Sequence, residues 1–472
     1  MDFDRFAAGL SRSRRGPLYR QLADQLHVAI RNGELAMGSR IPSERDLARL
    51  LGISRTTVLN AYGLLREHGL LDSARGSGTR VAAAAGLGPT LPASSLHASK
   101  LLEESAAGVI DMSTSVIAGA CELPHLQLGE TELAELAGTG YVPLGLPTLR
   151  TRIAGQYTRH GLATTADEVI VTSGAQQAIS LLCALFGRSG ATIVTEKPTY
   201  SGALDAIRAV GATVLPVRTD REGMSVRALA EVLEHHSVSL IYVMSTCQNP
   251  TGSIMGAIRR TELGNLAQRA GVPIVDDTAM AQLAPDKWRF PAEGGLTNIV
   301  IGSLSKLFWP GLRVGWLRAP TELVARVARL KVTADLGSSH VSQLLATRLL
   351  GSVDSTAELR RRQLGERRDL LDRLLQTRLP DWTSNAPADG MFLWVRLPNA
   401  DAESFAQLAL HHGVRVLPGT RTTPDNTCAE HVRVSCVAEP ADLLLGVDRL
   451  AQAWGAFTSI STADRLSLDL AI

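Results

Sequence analysis

A chain of 472 residues, 45% of them hydrophobic and with a net charge of only +2, exceeds one ordinary domain and can bury a large core. Its longest apolar runs are broken by Arg, Gly or Pro short of the ~20 residues of a bilayer span, and Met1 leads into Asp2, Asp4 and Ser11-Arg12-Ser13-Arg14-Arg15 rather than an apolar signal sequence. The five cysteines (Cys121, Cys183, Cys247, Cys428, Cys436) are scattered, odd in number and without a C-x-x-C pair, so neither a disulfide framework nor a metal site is expected, and the expected location is the cytoplasm.

The net charge hides an asymmetry. Residues 1–81 hold 13 arginines and no lysine against 8 acidic residues, a charge of +5, so the remainder carries −3. A basic head on a faintly acidic body suggests a nucleic-acid contact at one end. Pro17 opens a helical pattern, with Leu18, Leu22, Leu26 and Ile30 four residues apart and Asn32-Gly33 closing it. Ser43 caps a short helix from Glu44 to Leu51, ended by Gly52, and Ser54 caps the next, through Val58, Tyr62 and Leu65. Two short capped helices joined by Leu51-Gly52-Ile53-Ser54 form a helix-turn-helix pattern whose second helix is placed to enter the major groove.

On that second helix Arg55, Thr56, Thr57 and Asn60 lie away from the apolar stripe, where they can reach base edges or phosphates. Residues 70–81 then read as a hairpin whose tip carries Arg75, Gly76 and Gly78 and can approach a nucleic-acid backbone closely. A helical bundle with merely solvated arginines is the alternative, but helix order, caps, charge and hairpin all agree on DNA.

These motifs resemble the GntR-type winged helix-turn-helix over residues 15–81. The resemblance is carried by Ile41-Pro42-Ser43-Glu44-Arg45-Asp46-Leu47-Ala48, by Ser54-Arg55-Thr56-Thr57-Val58, by Ala61-Tyr62 and by Gly76-Ser77-Gly78-Thr79. It implies that Arg45 and Arg55 hold phosphates or bases and that the glycine tip is the wing. Residues 82–110 shift to Ala, Gly, Pro and Ser, with one short helical pattern at 96–104, and should act as a flexible tether.

Beyond the tether, strand-like runs at 168–172, 191–195, 213–217, 239–245, 272–276, 298–302 and 314–318 alternate with amphipathic segments such as 176–186, 226–235 and 259–270. Alternation of this kind predicts an α/β fold, a mostly parallel sheet with helices on both faces and ligands at the carboxyl ends of its strands. Chemistry-bearing residues fall at those ends. Thr172-Ser173-Gly174-Ala175-Gln176 is a strand, a turn of small residues and a helix start, whose Ala175 and Gln176 N–H groups can cradle phosphate. Tyr200 can stack on an aromatic ring, Asn249 can donate to a phenolate oxygen, and Asp276 closes an apolar strand where an unpaired carboxylate would be costly.

Of the five lysines, only Lys306 follows directly on a buried-strand pattern, in Ser303-Leu304-Ser305-Lys306 with Arg313 seven residues on. A lysine there can form a Schiff base with an aldehyde cofactor, while Ser303, Ser305 and Arg313 bind its phosphate. Taken alone, the stretch fits a lysine snorkelling from a strand end equally well. From about residue 320 the chain turns helical, with an Arg-rich stretch at 357–379, and strands return at 391–397, 413–417 and 431–436 as a smaller domain. His235-His236 and His411-His412 read as helix-end surface pairs, not metal ligands.

The ordered set resembles the fold-type-I, aspartate aminotransferase-like pyridoxal-phosphate family over residues 111–455, with a large part at about 130–320, a small part at about 321–455 and a tail at 456–472. The resemblance implies pyridoxal 5'-phosphate on Lys306, with Asp276 at the pyridine nitrogen, Asn249 at the ring oxygen and Tyr200 stacked. Ala175, Gln176, Ser303, Ser305 and Arg313 would then form the phosphate cup. It further implies that Tyr141 reaches the phosphate of a neighbouring subunit, hence a homodimer, and that Arg433 clamps a ligand carboxylate. One departure is Thr278, where the family usually has a tyrosine two residues after the cofactor aspartate, so efficient transamination is not expected. Winged helix, tether and body together resemble the MocR family of bacterial transcriptional regulators. The expected function is DNA-binding regulation by an amine or amino acid that exchanges with the aldimine at Lys306, and the alternative is an active aminotransferase carrying a DNA-binding domain.

Overall fold

The structure, a computed structural model, describes residues 18–31, 35, 39–67, 70–74, 78–82, 108–117, 129–130, 134, 139–284, 299–385, 387, 389–425 and 427–469. The chain divides into two compact units, residues 1–103 and 104–472.

In the first unit, helices α1 (Leu18–Arg31), α2 (Glu44–Leu51) and α3 (Arg55–Glu67) precede a hairpin of β1 (Leu71–Ala74) and β2 (Gly78–Val81). The four-residue apolar spacing puts Leu22, Leu26 and Ile30 on one stripe of α1, where they meet Leu47, Leu51, Val58, Tyr62 and Leu65 in a single core. Ser43 Oγ accepts the Asp46 N–H (3.2 Å) at the start of α2, and Gly52 ends it in the left-handed region at φ 64°, a conformation that suits glycine. Ser54 Oγ accepts the Thr57 N–H (3.1 Å) and starts α3. Tyr62 donates to the Pro42 carbonyl (2.9 Å), and Arg40 bridges to Arg80, so the loop before α2 forms a third edge of the hairpin.

The second unit opens with β3 (Ile110–Asp111). Strands β4 (Val169–Thr172), β5 (Thr192–Lys197), β6 (Thr213–Asp220), β7 (Gly223–Met224), β8 (Leu240–Val243), β9 (Ile274–Asp277), β10 (Ile299–Ser303) and β11 (Gly315–Arg318) make one sheet, ordered β4-β11-β10-β9-β8-β5-β6-β7. Only β11 and β7 run against the rest. Helix α4 (Pro147–Arg159) precedes β4, and α5 (Ala175–Phe186), α6 (Ser201–Ala209), α7 (Val226–His235) and α8 (Ala257–Ala270) lie between successive strands. Because successive strand residues face opposite ways, Tyr242 and Val275 pack with α5 and α6 while Ile241, Val243 and Ile274 pack with α7 and α8. Each such fully buried aliphatic side chain stabilises the fold by about 1.5–3 kcal/mol.

Helices α9 (Thr321–Asp335), α10 (His340–Leu349) and α11 (Val353–Arg378) lead to the smaller part. There β12 (Thr383–Ser384), β13 (Phe392–Arg396), β15 (Leu417–Pro418) and β16 (His431–Ser435) form an antiparallel sheet with α12 (Ala402–His411), while β14 (Val414–Arg415) pairs in parallel with β3. The last helix, α13 (Pro440–Asp469), continues through most of the segment expected as a tail. The short helical pattern at 96–104 lies outside the described residues.

Candidate functional site

In the first unit, Arg45, Ser54, Arg55, Thr56 and Asn60 are exposed and Thr57 half-buried, opposite the buried Val58, Ala61 and Tyr62. Exposed Arg55 lies 3.6 Å from half-buried Glu44, a loose pair worth little in water that a phosphate can replace. Gly78 opens β2, whereas Arg75 and Gly76 lie outside the described residues.

In the second unit, strand register builds the phosphate cup. Ser303 on β10 pairs with Gly315 on β11, which pairs with Thr172 on β4, so the turn after Thr172 stands two strands from Ser303. In that turn Gly174 has φ 109°, and a Cβ there would lie 3.2 Å from the Arg313 guanidinium, so glycine lets the two approach. No side chain caps α5, leaving the Ala175 and Gln176 N–H groups directed at the cup. Ser303 Oγ donates to Ser305 Oγ (3.0 Å), and Arg313, itself left-handed at φ 52°, donates to the Ser173 carbonyl. The Gln176 side chain accepts from Tyr200 (3.0 Å) and donates to the Gly202 carbonyl (2.9 Å), which fixes the Tyr200 ring beside the helix start.

Lys306 Nζ donates to the Ser115 carbonyl (3.0 Å) and to Ser115 Oγ (3.1 Å). Burial, reinforced by Arg433 and opposed by Asp277, pulls its amine down to about 8. The carboxylate whose charge acts on Lys306 is Asp277. Asp276 turns to the other face of β9, where Oδ1 accepts the Ser245 N–H (2.9 Å), Oδ2 accepts the Ser245 hydroxyl (2.7 Å) and Arg260 stabilises its charge. Asp277 accepts from the Tyr242 hydroxyl (2.7 Å) and the Ala279 N–H (3.0 Å); burial raises it, while those donors and Lys306 oppose the rise. Thr278 donates to the Ile301 carbonyl (2.7 Å) and stands beside Tyr157.

Arg433 on β16 reaches across to this site. Its Nη1 donates to Asn249 Oδ1 (2.7 Å), its Nη2 to the Ser113 carbonyl, and the guanidinium lies 4.5 Å over the Phe392 ring. Its buried Nε has no hydrogen-bond partner, and burial lowers the group to about 10. Asn249, with its carbonyl oxygen on Arg433, keeps its amide nitrogen for another acceptor. Tyr141 is 64% exposed and its side chain joins none of these groups within the chain.

Sequence reasoning missed Asp277, Tyr242, Ser113 and Ser115. It also missed Glu196, a buried carboxyl on β5 that accepts from the Met244 N–H (2.9 Å) and is pushed by burial up to about 8. A cup of helix N–H groups, hydroxyls and Arg313, a buried amine held near 8, a carboxylate facing that amine and an unpartnered guanidinium N–H fit pyridoxal phosphate. That cofactor supplies an aldehyde and an electron-withdrawing ring. Among the described residues no helix is long and apolar enough to cross a membrane, and no group of three or more His, Cys, Asp or Glu could hold a metal ion.

Residues 18–81 match the gntR family of bacterial regulatory proteins, and residues 122–450 match the class I and II aminotransferases. The uncharacterised HTH-type transcriptional regulator YdcR of Escherichia coli is 30% identical over 427 residues, covering 85% of this chain and 91% of its own. The probable rhizopine catabolism regulatory protein MocR of Rhizobium meliloti is 29% identical, covering 86% and 87%. The solved α-aminoadipate aminotransferase LysN of Thermus thermophilus, complexed with N-(5'-phosphopyridoxyl)-L-leucine, overlays at TM-score 0.67 with 26% identity, over 77% of this chain and 97% of that one. Fold and site thus define a DNA-binding head of the gntR family on an aminotransferase body whose cofactor is pyridoxal phosphate. The chain belongs to the MocR-type transcriptional regulators.

Proposed function

We propose that this regulator senses an amine or amino acid through aldimine exchange at Lys306, with the ligand's carboxylate on Arg433. The observation that carries the reading is the convergence of the two groups, each contacting the segment 113–115 and Arg433 lowering the Lys306 amine. A less charged amine is a better nucleophile, and an unpartnered buried Nε is an unmet donor for a carboxylate. Asp277 is the partner we assign to the pyridine nitrogen, Asn249 the donor to the ring oxygen and Tyr200 the stacking ring. Ala175, Gln176, Ser303, Ser305 and Arg313 hold the phosphate.

The DNA-binding part is residues 15–81, the tether 82–110 and the sensing body 111–455. We assign Arg45, Ser54, Arg55, Thr56, Thr57 and Asn60 to the DNA face, with the wing tip at 75–78. The working form is a cytoplasmic homodimer in which exposed Tyr141 serves the neighbouring subunit. Two heads then read paired half-sites.

A second reading, an aminotransferase carrying a DNA-binding domain, draws support from the cofactor-type groups around Lys306, although Thr278 stands where the family tyrosine is expected. Titration with amino acids and amines, with and without 2-oxoglutarate, separates the two. A shift in cofactor absorbance without turnover supports sensing, and sustained turnover supports the enzyme.

A further inference from the structure

The segment Asp111–Ser115 lies across the site as a strap. Ile110 N–H donates to the Gly413 carbonyl (2.9 Å) and Met112 N–H to the Arg415 carbonyl (2.9 Å), while the Met112 carbonyl accepts from Ser435 N–H (2.8 Å), two residues beyond Arg433. Asp111 Oδ1 ties the next turn by accepting from Ser113 N–H (2.7 Å), Ser113 Oγ (2.6 Å) and Thr114 N–H (3.2 Å). The turn so fixed presents two groups to the site: the Ser113 carbonyl on Arg433 Nη2 and Ser115 on Lys306 Nζ. In sequence the strap is the first described stretch of the body after the tether.

A guanidinium can grip a carboxylate with two parallel bonds along its Nε–Nη2 edge or its Nη1–Nη2 edge. Both edges include Nη2, the nitrogen that Ser113 engages, and the second also includes the nitrogen on Asn249. Nη2 carries two N–H groups, so a carboxylate gripping either edge crowds the Ser113 carbonyl on the same nitrogen, and along the Nη1–Nη2 edge it also meets Asn249; a charged acceptor outweighs a neutral one. We infer that the Asp111–Ser115 strap is a built-in competitor for the ligand's carboxylate, and that its displacement is what reports an occupied site to the tether. The inference rests on the proposed binding of an amino acid at Lys306 and Arg433 and adds how occupancy leaves the site. Only a ligand with both amine and carboxylate releases the strap; the matching amine without the carboxylate reaches Lys306 and leaves Ser113 in place. A ligand changes an equilibrium only through such differential contacts.

The test is amide hydrogen exchange on the full-length holoprotein, read in peptides spanning residues 108–117. The probes are the first of the twenty standard amino acids that shifts the cofactor absorbance and the amine derived from it by loss of carbon dioxide. Release of the turn should speed exchange at Ser113 and Thr114 about 10-fold or more with the amino acid and leave it unchanged with the amine. Unchanged exchange despite a shifted absorbance overturns the strap while the sensing reading stands, and so does equal acceleration by the amine. Absorbance that no amino acid shifts removes both. Asp111→Ala supplies a second reading, because it loosens the turn while keeping Arg433 and Lys306, and it also removes a charge that acts on Arg433. Weakening an internal competitor should tighten apparent amino-acid affinity about 3- to 10-fold and leave the amine's affinity in place. Weaker binding of both, or no change in their ratio, contradicts the inference.

Discussion

Exchanging Asp277 for asparagine should cost the protein its cofactor, whereas the same exchange at Asp276 should not. In the structure Asp277 faces the lysine side, with Tyr242 and Ala279 donating to its two oxygens, so its charge is available to a protonated ring nitrogen. A hydrogen bond to a charged group contributes about 1.5–3 kcal/mol, or about 10- to 150-fold in Kd. Asp277→Asn loses that charge and sets an amide N–H against the ring N–H. Asp276→Asn keeps an oxygen for the Ser245 N–H and offers its amide to the Ser245 hydroxyl, which can turn to accept it. Its cofactor Kd should stay within about 3-fold of the parent. The assay titrates cofactor-free protein with pyridoxal phosphate and follows aldimine absorbance, with far-UV circular dichroism as the folding control. A folded Asp276→Asn that loses the cofactor, beside an Asp277→Asn that keeps it, would refute the reasoning.

Arg433→Gln should weaken amino-acid binding about 10- to 100-fold while sparing the matching amine, as read by absorbance titration; equal loss of both would move the carboxylate site elsewhere. Arg55→Ala should weaken binding to the protein's own promoter fragment and flatten its salt dependence by roughly one phosphate contact, measured by fluorescence anisotropy across a salt series. Glu196 is raised from 4.5 to about 8, so its neutral form favours the fold and that contribution fades as pH climbs through about 8. Glu196→Gln, which still accepts from Met244, should remove this loss and raise the melting temperature at pH 9 relative to the parent by several degrees, with little difference at pH 5. A Glu196→Gln curve parallel to the parent's would place the titration elsewhere.

Much of this architecture was legible in local pattern. Ser43, Gly52 and Ser54 bound their helices as capping chemistry requires, and the strand runs from 168 to 318 became β4 to β11 apart from the short β7. The move from Asp276 to Asp277 in the proposed site has a physical origin. Ending the strand one residue early places its last carboxylate in the site, but β9 continues to Asp277, and in a strand one residue is the difference between faces. The pairing of Tyr242 with Val275 in β8 and β9 fixes which face that is, and such pairing is invisible to a single run. Ser113 and Ser115 left no local signal, since their partners Arg433 and Lys306 lie 320 and 191 residues away. The last helix likewise runs past the boundary set for it at residue 455.

Borohydride reduction of the cofactor-loaded protein, followed by peptide mapping, probes the imine itself. The pyridoxyl mass should fall on the peptide containing Ser303-Leu304-Ser305-Lys306 and on no peptide carrying Lys100, Lys197, Lys287 or Lys331. An adduct on any of those four, or an unmodified Lys306 in protein that has bound the cofactor, would contradict a sensor built on this amine.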